Sequence, residues 1–222
     1  MYAMLGTYPN LAYTVGVLGR HTSNPGEAHW KAAKYALHYL QFAKDQVLTY
    51  TGDNSSTPSF IGYSNADWSG DGDTSCSTSG YVFMFCGAVI GWSSKQQSLI
   101  AMSSMESEYI GLANAGMHLS WLHMFFKDIG LIQRDPNDLY CDNQGALTVC
   151  KDLEYCACTK HIQRKYHSIC DDVIGKGLAI VWYIPTSEMV VDILTKALSH
   201  NKHSKFTTAM GLQPHSSGSV RI

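Results

Sequence analysis

The sequence predicts an α/β protein, and three observations predict it. From residue 60 onward the apolar pattern alternates in the order β-β-β-α-β-α-β-α. Apolar residues make up 45% of the 222-residue chain, enough for a sizeable core, while charged residues make up only 15%. That balance excludes the usual compositions of disordered chains and coiled coils. The longest apolar run, Tyr81 to Trp92, is broken by Gly87 and Gly91 and falls well short of the ~20 residues of a membrane helix. It reads as two strands around a glycine turn, and no membrane partner is expected.

The elements follow in order. Asn24-Pro25 offers a cap residue followed by a first-turn proline, and Trp30, Ala33, Leu37 and Leu40 then recur at helical spacing to about Asp45. A short strand is expected at Val47 to Tyr50. The polar stretch 54–59 is the best boundary in the chain. Strands are expected at Phe60 to Asp67, Gly80 to Cys86 and Ala88 to Ser94. Ser103-Ser104 marks a helix start; Tyr109, Leu112, Ala113 and Ala115 continue it. Leu119, Leu122 and Phe126 suggest a second, turn-separated segment ending at Gly130. A strand at Asp138 to Asp142, a helix at Gly145 to Lys151, a helix at His161 to Gly175 and a strand at Leu178 to Ile184 follow. Glu188 to Leu198 is expected as a last helix, and the chain from Ser199 as a tail with a short amphipathic stretch.

The net charge is −2, which excludes a basic module that grips nucleic acid unaided. The charge is uneven: residues 61–140 hold three basic and eight acidic side chains. Seven cysteines and a start, Met-Tyr-Ala-Met-Leu, without a basic n-region and apolar stretch point to free thiols in a reducing compartment.

Several acidic or acid-like positions need explaining. Asn65 and Asp67 close the first strand of the second region. Glu108 sits one turn inside the long helix, Asp142 ends the fourth strand, and Asp192 lies among apolar residues in Val190-Val-Asp-Ile-Leu194. An acid in such a place is costly to bury unless something offsets its charge. Carboxylates gathered from separate elements suit a hard cation such as Mg²⁺, and two such ions can clamp a phosphodiester. Spacing alone leaves four unrelated surface acids as the alternative.

Seven motifs occur in a fixed order. They are Tyr63-Ser-Asn-Ala-Asp-Trp68, Ser77-Thr-Ser-Gly-Tyr81, Trp92-Ser-Ser-Lys-Gln96, Ser103-Ser-Met-Glu-Ser-Glu-Tyr109, Cys141-Asp-Asn-Gln144, Thr159-Lys-His-Ile162 and Asp192-Ile-Leu-Thr-Lys196. Together they resemble the ribonuclease H domain at the C-terminus of copia-type retrotransposon polyproteins. Tyr8-Pro-Asn10, the segment from Asn24-Pro25 to Trp30-Lys31, and Tyr39-Leu40 resemble the tail of that family's reverse transcriptase. The resemblance implies a ribonuclease H-like, five-stranded mixed sheet flanked by helices over residues 59–198. It places a reverse-transcriptase remnant at 1–58 and a tail at 199–222. It also implies cleavage of the RNA strand of an RNA–DNA hybrid with two Mg²⁺ ions, Mn²⁺ being an alternative, and no small-molecule cofactor. The implied partners are the hybrid and the parent polyprotein, in an intracellular setting: a cytoplasmic particle or the nucleus, not a secreted form.

By the same resemblance the four catalytic positions fall on Asn65, Glu108 (the second of the pair Glu106/Glu108), Asp142 and Asp192, which are also the metal positions. The first of them is an amide where the family has Asp. Asparagine offers one neutral carbonyl oxygen and an NH₂ donor that repels a cation, so cleavage is expected to be weak or absent. Asp67, two residues along the same strand face, is the candidate to compensate. It lies ~6.6 Å further along at strand rise. The alternative is a non-catalytic nucleic-acid-binding or assembly remnant. Lys95, Asn143, Gln144, Lys160 and Thr186 are candidates for contacts to backbone or 2′-hydroxyl groups.

Other combinations point less strongly to chemistry. Cys156, Cys158, His161 and His167 lack the usual spacing between thiols for zinc. Asp171-Asp172 reads as surface, with no polymerase site. Ser103 and Ser104 read as helix caps, since no Gly-x-Ser-x-Gly elbow is present. Trp68, Trp92 and Trp121 read as core or sheet edge before base-stacking platforms.

Overall fold

Alternation along a single strand organises the molecule. In β3 (Thr78–Phe85), Val82 enters one apolar cluster and Phe83 a different one on the opposite face. The computed structural model describes residues 1–52, 59–133, 135–151, 166 and 169–215. With β1 (Gln46–Leu48), β2 (Ile61–Asp67), β4 (Ala88–Gln96), β5 (Asn137–Cys141), β6 (Ala179–Tyr183) and β7 (Leu212–Pro214), it builds two sheets. The larger is five-stranded in the order β4-β3-β2-β5-β6. β2, β3 and β4 pair antiparallel, while β5 runs parallel to both β2 and β6. This is the ribonuclease H-like, five-stranded mixed sheet flanked by helices that the resemblance implies. Cys86 and Gly87, both at positive φ, form the two-residue turn between β3 and β4, as hairpin twist requires.

The helices are α1 (Tyr2–Gly6), α2 (Ala12–Arg20), α3 (Glu27–Phe42), α4 (Ser104–Asp128), α5 (Gln144–Lys151) and α6 (His200–Ala209). One face of the sheet is covered by α4, α5 and the π-helical turn Ile169–Ile174. Phe60, Phe83, Tyr109, Leu112, Leu119, Leu139 and Val181 pack there. The other face carries Met189 to Leu194, Phe206, Met210 and Leu212 against Val82 and Val89. Trp92 ties the N-terminal segment to this sheet, its indole N–H donating to the Met4 carbonyl at 2.7 Å. Tyr39 and Thr207 both bond to the buried Asn10 side chain.

Three expectations are corrected. The long helix is one continuous element, α4, without a turn near residue 117. Its residues from 104 to 128 include only good or neutral helix formers apart from two glycines, and Gly116 is needed where α4 meets Ile169. Helix α3 starts at Glu27, capped by Gly26, not at Asn24. Glu188 to Leu198 is not an α-helix but two 3-10 turns, Thr186–Glu188 and Val190–Leu194, with Met189 extended between them. Neighbouring Val190 and Val191 are poor helix formers, and both are buried by the sheet. The amphipathic stretch expected after Ser199 is α6, where Phe206 is fully buried, followed by the fully buried Met210 and by β7, which pairs antiparallel with β1. The end 216–222, the boundary 54–58 and the cluster Cys156, Cys158, His161 and His167 lie outside the described residues.

Cys76, Cys86, Cys141 and Cys150 are free thiols. Among the described residues no helix is long and apolar enough to cross a membrane.

Candidate metal centre at the carboxyl ends of two parallel strands

β2 and β5 run parallel, with Tyr63 level with Tyr140. Two residues further on, Asn65 and Asp142 therefore reach the same end of the sheet, one strand spacing apart. Ligands of α/β sheets collect in the crevice outside the carboxyl ends of parallel strands. Glu108 arrives from α4. Ser103 caps that helix by accepting the Glu106 N–H at 3.2 Å, and Glu106 accepts the Met102 N–H at 2.8 Å. Glu106 thus serves the helix start, whereas Glu108 turns to the sheet and accepts the Ala66 N–H at 3.0 Å.

Asp192 arrives from the opposite face. Gly80, level with Asn65 on β3, lets the Val190–Leu194 turn lie directly on the sheet. A Cβ there would come within 3.1 Å of Thr195, Leu194 and Val191. Asp192 is thereby placed against Asn65, whose amide N–H donates to its Oδ1. Lys196, one turn on, sets its ammonium 3.0 Å from the same oxygen. Asp142 accepts the Thr186 hydroxyl at 2.7 Å.

The site therefore has two halves. In one, oxygens of Glu108 and Asp142 and the sulfur of Cys141 all lie within 4.8 Å of one another. In the other, Asp192 is held between Asn65 and Lys196. Burial pushes the Glu108 carboxyl well above its ordinary range, and the negative charge of Asp142 adds to this. Burial likewise raises Asp192, opposed by the hydrogen bond and charge of Lys196. The Cys141 thiol is driven far up by burial and then by Glu108, and a soft sulfur is the less suited donor for a hard cation. What remains is an oxygen donor set suited to a hard divalent cation.

Asn65, Glu108, Asp142 and Asp192 are thus brought together. Asp67 is not placed with them: its carboxylate folds back over Gly70, where a Cβ would meet Oδ2 at 2.1 Å. Of the expected nucleic-acid contacts, Thr186 is bonded to Asp142, and Asn143 caps α5 by accepting the Ala146 N–H at 3.0 Å. Gln144 is exposed at the first turn of α5. Lys95 is exposed on β4 beside a cavity of about 510 Å³ lined in part by Tyr81, His118 and Trp121. Lys160 lies outside the described residues. Trp121 is not core: it is 53% exposed and stacks between His118 and Phe125. Trp68 is half-exposed, its N–H held by the Ala101 carbonyl at 3.0 Å.

Sequence reasoning gave no role to Lys196 or Cys141. The four-residue spacing of Asp192 and Lys196 was the available signal for the first. The second follows from alternation on β5, where Asn137, Leu139 and Cys141 are the buried set.

The chain is 39% identical over 212 residues to the retrovirus-related Pol polyprotein from transposon TNT 1-94 of Nicotiana tabacum, a match covering 96% of this chain and 16% of the polyprotein. It is 35% identical over 219 residues to the retrovirus-related Pol polyprotein from transposon RE2 of Arabidopsis thaliana, covering 97% of this chain and 15% of the relative. It is also 43% identical over 122 residues to secreted RxLR effector protein 161 of Plasmopara viticola, covering 55% of this chain and 84% of that protein. The chain thus spans about one sixth of the length of the polyproteins it matches. No protein-family model matches it. Among solved structures, it is similar to LC11-RNase H1 in complex with an RNA/DNA hybrid, at 17% identity and a TM-score of 0.40, covering 61% of this chain and 93% of that one.

Proposed function

We propose, because the chain belongs to the retrovirus-related Pol polyproteins of copia-type transposons, that residues 59–198 are the ribonuclease H unit of such a polyprotein. Its substrate is the RNA strand of an RNA–DNA hybrid, and its cleavage is weakened by Asn65. One observation carries this reading. Residues from four separate elements, Asn65, Glu108, Asp142 and Asp192, converge at one end of a mixed sheet, and three of them are carboxylates in a site where burial penalises charge.

Glu108 and Asp142 would hold a divalent metal, Mg²⁺ or Mn²⁺. The ion supplies charge stabilisation at the phosphate and a more acidic bound water. The protein's own groups prepare that position. Glu108 is fixed by the Ala66 amide, and Asp142 is oriented by Thr186. Such second contacts to a ligand commonly carry ten-fold or larger effects on metal affinity, on the order of 10–100-fold. Asn65 instead spends its amide on Asp192. Gln144 and Lys95, both exposed, are the described residues best placed to meet a nucleic-acid strand; Asn143 and Thr186 act within the protein. The remainder of the parent polyprotein, with its reverse transcriptase, is the partner of the N-terminal segment.

The test is hydrolysis of a labelled RNA–DNA hybrid by the protein and by its Asn65→Asp variant. The expected result is slow or absent cleavage by the first and clear gain by the second; equal, robust rates would sink the reading of Asn65. A second reading, a non-catalytic module that binds nucleic acid, is favoured by the bond that ties Asn65 to Asp192. Hybrid binding that weakens steeply with salt, without cleavage by either protein, would support it.

A further inference from the structure

Asp192 is 1% exposed, and its Oδ1 receives two donors at once: the Asn65 amide and the Lys196 ammonium. Lys196 is not a surface lysine that happens to pass by. Its backbone N–H bonds to the Asp192 carbonyl at 3.1 Å, which fixes it one turn beyond the acid. The ammonium is thereby held on Asp192 by its own backbone.

Charge matching decides what else can bind. Glu108, Asp142 and Asp192 carry three negative charges, and Asn65 carries none. Two divalent ions would bring four positive charges to three carboxylates, with Lys196 adding a fifth beside them. One divalent ion together with Lys196 brings three, which balances the set. The arrangement of donors agrees. The Glu108–Asp142 half presents oxygens within 4.8 Å of one another, whereas the Asp192 half presents N–H donors, which repel a cation.

We propose that Lys196 is the resident cation of the Asp192 half-site: with the Asn65 amide it closes Asp192 to a divalent ion, and the protein binds one such ion, at Glu108 and Asp142, instead of two. Asp67 does not restore the second position, because its carboxylate is folded over Gly70. This inference rests on the metal-binding part of the function proposed above and concerns how many ions that site accepts.

The test counts ions without hybrid and without activity. Free Mn²⁺ is followed by electron paramagnetic resonance while it is titrated into the protein, into Lys196→Gln, and into the double variant Asn65→Asp with Lys196→Gln. The protein is expected to bind one Mn²⁺. The double variant is expected to bind two, with a second-site affinity at least ~10-fold above any weak second binding by the protein, the scale of a changed contact to a metal ligand. Two comparable Mn²⁺ sites on the unaltered protein would overturn the proposal, and that measurement stands even if a variant fails to fold. One site on a folded double variant would also overturn it. Two such sites on the unaltered protein would remove Lys196 from this role while leaving the metal-binding part of the ribonuclease H reading standing. No Mn²⁺ binding at all would remove both.

Discussion

Glu108 and Asp192 are both buried acids of one site, yet they are kept in different ways. Glu108 is anchored by a backbone N–H on the helix-covered side of the sheet and shares its space with Asp142. Asp192 comes from a short turn on the other side and has a cation 3.0 Å away. The first half has hydrogen-bond donors but, among the described residues, no cation at ion-pair distance, which leaves its charge open to a metal. The second half has already satisfied its charge. A carboxylate at a family's catalytic position is therefore not by itself a ligand; what its neighbours donate decides whether it is open.

The largest way to break this contrast is Asn65→Asp. It removes the amide donor and adds a charge, and hybrid cleavage is expected to rise on the order of 10²–10³-fold, the scale of a restored electrostatic contact in a catalytic site. Next is Lys196→Met, which strips Asp192 of its ion pair. Removing one partner of a fully buried pair costs ~3–5 kcal/mol. Lys196 keeps 34% of its side chain exposed, so solvent screening reduces the expected loss to about 1–3 kcal/mol, read by urea unfolding. Adding Mn²⁺ should then restore part of that stability in the variant.

On the Glu108 side, Thr186→Val removes the hydroxyl that orients Asp142. It is expected to weaken the single Mn²⁺ site by ~10-fold while changing unfolding free energy by about 1 kcal/mol. The smallest effect is in pH dependence. Because the folded-state pKa of Glu108 is raised above its unfolded value, the native protein holds the proton more tightly. Stability from this group is therefore greatest below the unfolded pKa, near ~4.3. It declines as pH rises from there toward the folded value. Glu108→Gln should flatten that decline in metal-free buffer, as seen in melting temperature between pH 4.5 and 7.

Much of this was legible in the sequence. Strand alternation announces both faces of β3, and the Ser103–Glu106 spacing announces where α4 begins. Glu108 could be preferred over Glu106 because only the latter fits a capping box. Other features depend on contacts between distant segments. The 3-10 form of 190–194 follows from how closely Gly80 admits that turn to the sheet, and no local pattern reports this. Asp67 looked like a substitute because alternate strand residues share a face, but the strand ends there and its carboxylate follows the turn. Lys196 was visible as a spacing and not as a partner of Asp192, because the bond matters only once Asn65 meets the same oxygen.

The β1–β7 pairing has a consequence for the order in which the molecule is assembled. Gln46 lies opposite Pro214, and Asn10 reaches Thr207, so segments far apart in the sequence are clasped together. Contacts of such long range carry a large loop-closure cost and form slowly. Trp30, Tyr35 and Phe42 stay open to solvent even with the clasp closed. A truncation before residue 200 is expected to leave the strands of the larger sheet and the Trp92–Met4 bond in place while removing the clasp, which frees β1 of its only strand partner among the described residues.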